Sequence, residues 1–389
     1  MRWLLLTDGL SPFEMGGMQK HSANLLKQLV SRGHFVSVAH CVTNHKSIDS
    51  TQVMAEIGIA DFQNCEIKQF TFPKLSRLPG HYIKESYLYS AKLFQYYQTN
   101  HKDWDVVFAQ GFTGWKFIEE RKKGNWKVPV VNHFHGFEMF QTVSGWKNLL
   151  KQYLFKSPVK WNVLHADATV SLGGRITGII EQLGVDSRQI IHLPVAIDDN
   201  WFSTVKKTAT ANVRALFVGR FESRKGLGTL LSAFEKLDNP SAQLTLTIVG
   251  NIPYSQRKSV ANVHYHGAIQ NEMEMMRMMD EHDVLIVPSK AEGMPTVILE
   301  AMARGLAIWC TPVGANEVMV NGDNGYVFGS VEQLQILDGL KQLLHLQKSQ
   351  ITDMGGNGKE KCSNNWRWVL VMNPFVEMVE QIVARKYVR

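Results

Sequence analysis

Residues 284–302 read VLIVPSKAEGMPTVILEAM, and the order of residue types in this stretch decides the fold of the second half of the chain. An apolar run predicts a buried strand over Val284–Pro288. A polar loop follows, and Pro295 then suits the first position of a helix because its missing N–H needs no partner there. We expect that helix over Pro295–Arg304. A strand that passes through a short loop into a helix is the building unit of a parallel α/β sheet.

The same alternation of short apolar runs and amphipathic stretches extends along the chain and restarts near residue 212. It predicts an α/β fold with two doubly wound, Rossmann-like domains, over residues 1–195 and 212–365. We expect a linker over 196–211 and a final helix within 366–389. The predicted strands are Arg2–Thr7, Phe35–His40, Val106–Ala109, Val128–Asn132, Ala168–Ser171, Arg214–Val218, Leu244–Val249, Val284–Pro288 and Ala307–Cys310. The predicted helices are Met18–Arg32, Tyr82–Thr99, Gly174–Leu183, Gly226–Leu237, Asn271–Asp280 and Pro295–Arg304.

The composition is that of folded globular domains, with 44% hydrophobic and 20% charged residues in a chain of 389. The net charge of +7 favours phosphate-bearing partners or an anionic membrane surface, and a basic surface without a particular partner fits it equally well. The four cysteines are scattered, which excludes zinc-ribbon and thioredoxin-type pairs and favours a reducing cytoplasm. No apolar run approaches the roughly 20 residues of a spanning helix, so membrane contact would be peripheral.

The helix that follows the opening stretch predicts an anion site. Thr296 and Val297 present backbone N–H groups that have no partner within the helix, at the positive end of its dipole. Glu300 lies among apolar neighbours, where a carboxylate is costly unless it meets hydrogen-bond donors, and a ribose diol would supply two. Glu292 precedes the helix and could accept hydrogen bonds from a sugar beyond the phosphates. The alternative is a surface glutamate together with a capping glutamate.

A second charged loop lies at Gly219–Gly226, between a predicted strand and a predicted helix. Arg220 and Lys225 could clamp a diphosphate and stabilise the charge that develops on a leaving nucleotide. Each such charge-assisted hydrogen bond contributes about 1.5–3 kcal/mol. The alternative is a solvated charge cluster at a helix start. The acidic segment in a matching strand-to-helix position favours the clamp.

Together these loops resemble the signature of the family 4 glycosyltransferases of the GT-B fold. The resemblance rests on Gly219-Arg220 with Lys225-Gly226, followed by Glu292-Gly293 and Glu300, because that family pairs two glutamates separated by seven residues. It covers the whole chain. Further matching features are Gly16-Gly17 after the first strand, the stretch His133–Glu138 after another strand, Asp198 in the linker, and the tryptophan-bearing final helix.

The resemblance implies a GT-B architecture in which the final helix crosses back to the first, acceptor-side domain and the second domain binds a nucleotide sugar. It implies a hexosyltransferase that uses a UDP- or GDP-sugar, retains the anomeric configuration, needs no cofactor, and serves cell-envelope polysaccharide or glycolipid synthesis. The acceptor would be a glycan, a lipid-linked or a small molecule. The residues implied in catalysis are His135, Arg220, Lys225 and Glu292. Those implied in donor binding are Gly16, Gly17, Gly219, Gly293, Met294, Pro295, Thr296, Val297 and Glu300. Met294-Pro295-Thr296 departs from the usual Phe-Gly or Leu-Pro pattern, so the donor stays open.

Two patterns suggest a metal, and we expect neither to hold one. His133 and His135 could share a strand face and, with Glu138, approach a ligand set, but the sequence offers no third ligand with convincing spacing. Asp103-Trp104-Asp105 matches the Asp-x-Asp metal motif of the other main glycosyltransferase fold. It precedes a predicted strand, so we interpret it as the polar start of that strand. The basic loop and the helix end would then neutralise the leaving diphosphate without metal.

Residues 144–161 contain four lysines, no acidic residue and several aromatic side chains. A basic amphipathic stretch of this kind can lie on an anionic bilayer, and it can equally be a helix that lines the cleft. We expect a cytoplasmic protein, with peripheral membrane contact under the first alternative. No motif indicates nucleic-acid binding.

Two other functions of the same fold stay open. A GT-B-type nucleotide-sugar epimerase would convert the donor in this cleft without an acceptor. A non-catalytic GT-B-like binding protein should lack the charged clamp. A nicotinamide-dependent dehydrogenase would need a Gly-x-Gly-x-x-Gly turn after a strand, which Gly16-Gly17 does not supply.

Overall fold

The computed structural model describes residues 1–14, 16–42, 49–75, 80–100, 103–141, 146–204, 212–239 and 242–385, side chains excepted for 146–151. Residues 205–211 of the predicted linker, residues 386–389 of the tail, and residues 144 and 145 of the basic stretch lie outside this description. Within it, no helix is long and apolar enough to cross a membrane.

The first sheet has seven parallel strands in the order β3-β2-β1-β4-β5-β6-β7. The strands are β1 (Arg2–Leu6), β2 (Phe35–Cys41), β3 (Cys65–Phe70), β4 (Val106–Gln110), β5 (Val130–His133), β6 (Ala168–Ser171) and β7 (Ile190–His192). The helices between them are α1 (Gly17–Ser31), α2 (Ser50–Ile57), α3 (His81–Thr99), α4 (Trp115–Lys122), α5 (Trp146–His165) and α6 (Arg175–Gln182). The strand order reverses between β1 and β4, which makes their carboxyl ends the ligand-binding edge.

The second sheet has six parallel strands in the order β10-β9-β8-β11-β12-β13. The strands are β8 (Val213–Val218), β9 (Leu244–Val249), β10 (Val263–Gly267), β11 (Val284–Val287), β12 (Ala307–Cys310) and β13 (Gly325–Val327). The helices are α7 (Leu227–Glu235), α8 (Glu272–Asp280), α9 (Thr296–Ala303), α10 (Asn316–Met319), α11 (Gln333–His345), α12 (Lys348–Asn365) and α13 (Trp368–Ala384). Here the order reverses between β8 and β11, the two strands that lead into the charged loops.

Helices cover both faces of each sheet, so central strands such as β4 and β11 are buried along their full length. In β1, Leu5 packs with Leu25 and Leu29 of α1, while Leu4 packs on the opposite side with Leu93 of α3. Full burial on both faces explains why central strands of a parallel sheet appear as uninterrupted apolar runs.

The final helix, α13, returns to the first domain, as expected. Its residues Trp368, Val371 and Phe375 belong to the core cluster of the first sheet. The ring of Phe375 lies 5.9 Å from that of Trp3. Before the helix, the backbone N–H of Ile197 donates to the carbonyl of Trp366 at 2.8 Å. The predicted α/β class, with two doubly wound domains and a helix that crosses back, is therefore confirmed.

Candidate functional site

The two charged loops of the second domain touch each other at the point where the strand order reverses. The backbone N–H of Lys290 donates to the carbonyl of Arg224 at 2.7 Å. Gly226 sits in the left-handed region at φ +73°, and a Cβ there would lie 1.9 Å from the carbonyl oxygen of Pro288. Only glycine allows this approach, so the contact between the two loops requires glycine at position 226.

Glu292 is the centre of this junction, and its side chain is 7% exposed. Its Oε1 accepts hydrogen bonds from the Nζ of Lys225 and the Oγ of Ser289, both at 2.7 Å. The guanidinium of Arg224 lies 3.4 Å from Oε2. A carboxylate this deeply buried needs such partners. The arrangement holds two cations at the carboxyl ends of β8 and β11, where an incoming anion would meet them.

Arg220 does not join Lys225 at this junction. Its side chain is 72% exposed and pairs with Glu222 at 3.1 Å. Glu222 also binds Arg224 at 2.8 Å. A short 3-10 turn over Ser223–Lys225 directs Arg224 and Lys225 towards Glu292. Arg224 is therefore a residue that the sequence reasoning missed, and its position beside Lys225 was the only signal for it.

The helix α9 begins one residue later than expected, because Pro295 precedes its first residue, Thr296, with φ −71° and ψ 119°. Among the described residues no side chain caps this end. Thr296 and Val297 are half-buried, and their N–H groups precede the first intrahelical donor. The anion site that the sequence predicted at this helix start is thus compatible with the observed geometry.

Glu300, one turn into α9, faces the first domain. Its side chain is 15% exposed, and Oε1 lies 3.2 Å from the Nζ of Lys20 in α1. Lys20 also pairs with Glu272 at 2.8 Å. Burial acts to lower the pKa of Lys20, but attraction to Glu300 and Glu272 outweighs it, and the pKa is raised. A small pocket between the domains contains Lys20, Thr296, Glu300 and Asp198. Burial raises the pKa of Asp198.

One close contact between the two domains lies at Gly293. A Cβ on Gly293 would lie 1.9 Å from the carbonyl oxygen of His135 in the first domain. The amide of Gln141 spans the same junction, because its Nε2 donates to the carbonyl of Glu292 at 2.7 Å. Met294, where the sequence departs from the family pattern, is buried, and its sulfur accepts the N–H of Val195 at 3.2 Å. Its side chain therefore packs against the end of the first domain, next to the linker.

The glycine pair of the first domain starts α1. Gly16 precedes the helix, and Gly17, with open space around its Cα, is its first residue. Next to them, Asp8 follows β1 and accepts a hydrogen bond from the Nε2 of Gln19 at 3.1 Å. Burial raises the pKa of Asp8 to about 6. Sequence reasoning missed this carboxyl group, because nothing in the local pattern shows that α1 covers it.

Three histidines lie together on the first-domain wall. His133 ends β5 and His135 follows it, with ring centroids 4.0 Å apart. His21 of α1 lies 4.9 Å from His135 and 5.3 Å from His133. Burial lowers the pKa of His21 to about 4 and lowers that of the other two well below the usual value, so all three rings are neutral. The sequence analysis found no third ligand because His21 is distant along the chain. Glu138, which it considered instead, is outside this group.

The Asp-x-Asp match is the start of β4, as interpreted from the sequence. Asp105 accepts the backbone N–H of Arg2 at 2.7 Å, and Trp104 is buried. The basic stretch forms α5, whose Val159 and Val163 pack in a core cluster with Phe134, while Tyr153 is 77% exposed. The apolar side of the described part of α5 therefore packs on the first domain.

Comparison with known proteins gives two matches that together span most of the chain. Residues 15–201 match the family model described as Glycosyltransferase Family 4, and residues 212–345 match the one described as Glycosyl transferases group 1. The chain is 24% identical over 350 residues to glycogen synthase of Mycobacterium tuberculosis, covering 84% of this chain and 81% of the relative.

Two solved structures share the fold over nearly the full length. The first is HepE of Anabaena in complex with UDP-glucose, with a TM-score of 0.68 at 15% identity, covering 99% of this chain and 100% of that chain. The second is WaaG, a glycosyltransferase involved in lipopolysaccharide biosynthesis, with a TM-score of 0.66 at 16% identity, covering 98% and 99% of the two chains.

Proposed function

Because the chain belongs to the family 4 glycosyltransferases of the GT-B fold, we propose that it moves a hexose from a UDP- or GDP-sugar to an acceptor hydroxyl with retention at the anomeric carbon. The observation that carries this proposal is the junction of Lys225, Ser289 and Glu292 at the reversal of strand order in the second sheet. Open α/β sheets bind nucleotides at this position.

The charges of the junction suit a nucleotide diphosphate. Lys225 and Arg224 neutralise part of its charge, and the first N–H groups of α9, on Thr296 and Val297, accommodate more. Arg220 lies in the same loop, and rotation away from Glu222 would bring a further cation to the phosphates. This set requires no metal ion for the leaving group, so we propose a reaction without an added cofactor.

We assign the remaining donor contacts to Glu300, Glu292 and His135. Glu300 would accept hydrogen bonds from the ribose hydroxyls, which requires Lys20 to share or release its carboxylate. Glu292 would orient hydroxyls of the transferred sugar, since its carboxylate is already occupied by Lys225 and Ser289 on one oxygen. His135 would contact the sugar from the first domain, close to Gly293.

In the transfer, the bond between the anomeric carbon and the diphosphate oxygen breaks, and a bond from that carbon to the acceptor oxygen forms on the same face. The acceptor proton passes to the departing phosphate oxygen, so the products are a nucleoside diphosphate and a glycoside. Preorganised cations at the leaving oxygen stabilise this step most, because negative charge accumulates there. Glu292 then acts as a positioning residue rather than as a covalent nucleophile.

The donor and acceptor classes are further parts of the proposal. HepE binds UDP-glucose, which makes UDP-glucose the first donor to test. WaaG is involved in lipopolysaccharide biosynthesis, and this supports an acceptor in cell-envelope polysaccharide or glycolipid synthesis.

A panel of UDP-, GDP- and ADP-sugars tests the proposal. The donor should raise the melting temperature in proportion to its occupancy, because a ligand that binds only the folded state stabilises it. With an acceptor extract, nucleoside diphosphate and glycoside should form in equal amounts, and proton NMR should show a retained anomeric configuration. Conversion of the sugar without acceptor would replace the proposal by the epimerase alternative, and the absence of any stabilising nucleotide sugar would contradict both.

A further inference from the structure

In the histidine cluster of the first-domain wall, the proposed transfer reaction uses only His135 and leaves His21 and His133 without a role. His21 is 3% exposed and His133 is fully buried, and both nitrogens of each ring are shielded from solvent without a hydrogen-bond partner among the described residues. The Nε2 of His135 is also shielded from solvent without a hydrogen-bond partner among the described residues. Buried polar atoms nearly always have a partner, so five such nitrogens in one cluster indicate a missing ligand.

The arrangement of the rings restricts what this ligand can be. One nitrogen from each ring can be chosen so that all three lie within 4.8 Å of one another. They therefore lie close enough together for a single ion to reach all three. Three neutral imidazoles in one cluster offer three lone pairs, which is the donor set of a divalent transition-metal ion.

We propose that His21, His133 and His135 form a binding site for a divalent transition-metal ion, best matched by Zn²⁺. Three histidines leave the fourth tetrahedral position open to water. Zinc–nitrogen bonds of about 2.0–2.1 Å place the nitrogens about 3.4 Å apart, so the rings move inward by up to about 1.4 Å from the observed separation. The proposal requires rotation of the rings about their side-chain bonds to provide this movement.

The surroundings of the cluster set an expectation for affinity. Metal-binding histidines usually donate their second N–H to a carboxylate or carbonyl, and loss of such a partner weakens binding about 10- to 100-fold. Within the described part of the chain, His21 and His133 have no such partner. We therefore expect reversible binding, which chelators remove without unfolding the protein.

The metal would connect two elements that line the cleft. His21 belongs to α1, which also presents Lys20 to Glu300, and its ring lies 5.8 Å from that of Trp368 in α13. His135 is the residue whose carbonyl approaches Gly293. If His135 contacts the donor sugar, a consequence that rests on the proposed function, then zinc takes up the same imidazole and inhibits transfer.

Metal binding is best measured without reference to activity. The full chain, treated with a chelator and then freed of it, is titrated with ZnCl₂ by calorimetry. We expect one strongly bound ion per chain, and we expect His21→Gln and His133→Gln each to weaken it by more than about tenfold. Retention of wild-type affinity in both variants, or no binding by the wild type, would overturn the proposal.

The chain also offers a matched control. His264 and His266 are exposed and two residues apart on β10, an outer strand, and such a surface pair can bind zinc by itself. The double variant His264→Gln/His266→Gln should keep the strong site. Loss of binding in this double variant, with retention in the cluster variants, would assign the zinc to the surface pair instead.

Cobalt covers the case in which a cluster variant fails to fold, because it needs only the wild-type protein. Co²⁺ in the three-histidine site should give the intense visible absorption of a four- or five-coordinate ion, and added Zn²⁺ should abolish it. The weak spectrum of six-coordinate cobalt would contradict the site. Zinc inhibition of transfer, relieved in His21→Gln, tests only the consequence, so its failure leaves the binding result intact.

Discussion

The two walls of the cleft bury their polar groups in opposite ways. On the second-domain wall, Glu292 is almost fully buried but has Lys225 and Ser289 each at 2.7 Å. On the first-domain wall, His21 and His133 are equally buried, and the described residues supply no partner to any of their ring nitrogens. The histidine cluster of the first wall is thus neutral and unsatisfied, while the Glu292 junction of the second is charged and satisfied.

This difference suggests a division of tasks between the domains. A buried carboxylate that holds cations in place keeps them oriented for an anion and avoids the cost of bringing unpaired charges together later. A neutral histidine cluster attracts no diphosphate, but it suits sugar hydroxyls or a metal ion. The predictions below test whether each wall depends on its own chemistry.

Lys225→Ala should have the largest effect. It removes the cation that lies nearest the Glu292 carboxylate, and loss of one preorganised group at a developing charge costs about 10²–10³ in rate. The fold should persist, because Ser289 and Arg224 still reach Glu292. Initial rates with saturating acceptor measure the effect. Lys258→Ala, at an exposed lysine of the same domain, should be close to wild type. A similar rate for both variants would remove the charged wall from the reaction.

Gly293→Ala should come next, because it separates the two walls. The new Cβ would collide with the carbonyl of His135, and a displacement of about 1 Å at a reacting centre costs roughly 10²-fold. Gly228→Ala is the matched control, since no atom lies within 4 Å of its added Cβ. Small-angle scattering should show a more open Gly293→Ala variant. Wild-type activity in it would mean that the walls need not touch during transfer.

Arg220→Ala sharpens the comparison within the charged wall. If Arg220 leaves Glu222 to bind the diphosphate, the loss of one charge-assisted hydrogen bond should lower kcat/KM for the donor about 10- to 100-fold. Arg188, also exposed and paired with a carboxylate, Asp186, gives the control Arg188→Ala. Equal effects of the two variants would restrict the clamp to Lys225 and Arg224.

The central strands were predictable from sequence and the outer ones were not. All nine predicted strands are present within about two residues of their expected bounds, whereas β3, β7, β10 and β13 were missed. These four are the outer strands of the two sheets. An outer strand is covered on fewer sides, so it needs no continuous apolar run, and its pairing depends on neighbours that are distant in sequence.

Helix α12 shows a second limit of secondary-structure prediction from sequence. Its sequence contains Gly355, Gly356 and Gly358 and little apolar periodicity, which does not indicate a helix. The structure explains the glycine at 355, where a Cβ would lie 2.2 Å from the carbonyl of Gly305. Close packing against the second sheet therefore outweighs local propensity.

The candidate site, like the fold, was predictable from sequence only in part. Glu292 and Lys225 were predictable partners, because loops that follow neighbouring strands of a parallel sheet meet at one edge. The inward direction of Arg224 and the outward direction of Arg220 depend on a three-residue turn. His21 joins His133 only because α1 packs beside the end of β5. Side-chain directions and packing between distant segments have no signal in a single sequence.

The smallest predicted effect concerns the first-domain wall and its buried carboxyl group, Asp8. Burial raises its pKa from 3.8 to about 6, so between pH 4 and 6 the folded state binds more protons than the unfolded state. The free energy of unfolding should therefore fall as pH rises through this window, and Asp8→Asn should remove that fall. With an allowance for solvent, the variant should gain about 1–2 kcal/mol over wild type at pH 7. Urea unfolding at pH 4.5 and pH 7 measures the difference.

Asp186→Asn is the control. Its effect on the free energy of unfolding should have the opposite sign, because Arg188 lowers the pKa of Asp186 in the folded state. That carboxylate stabilises the protein above its unfolded pKa. A pH-independent difference for Asp8→Asn would mean that the carboxyl group of Asp8 is solvated in the folded protein.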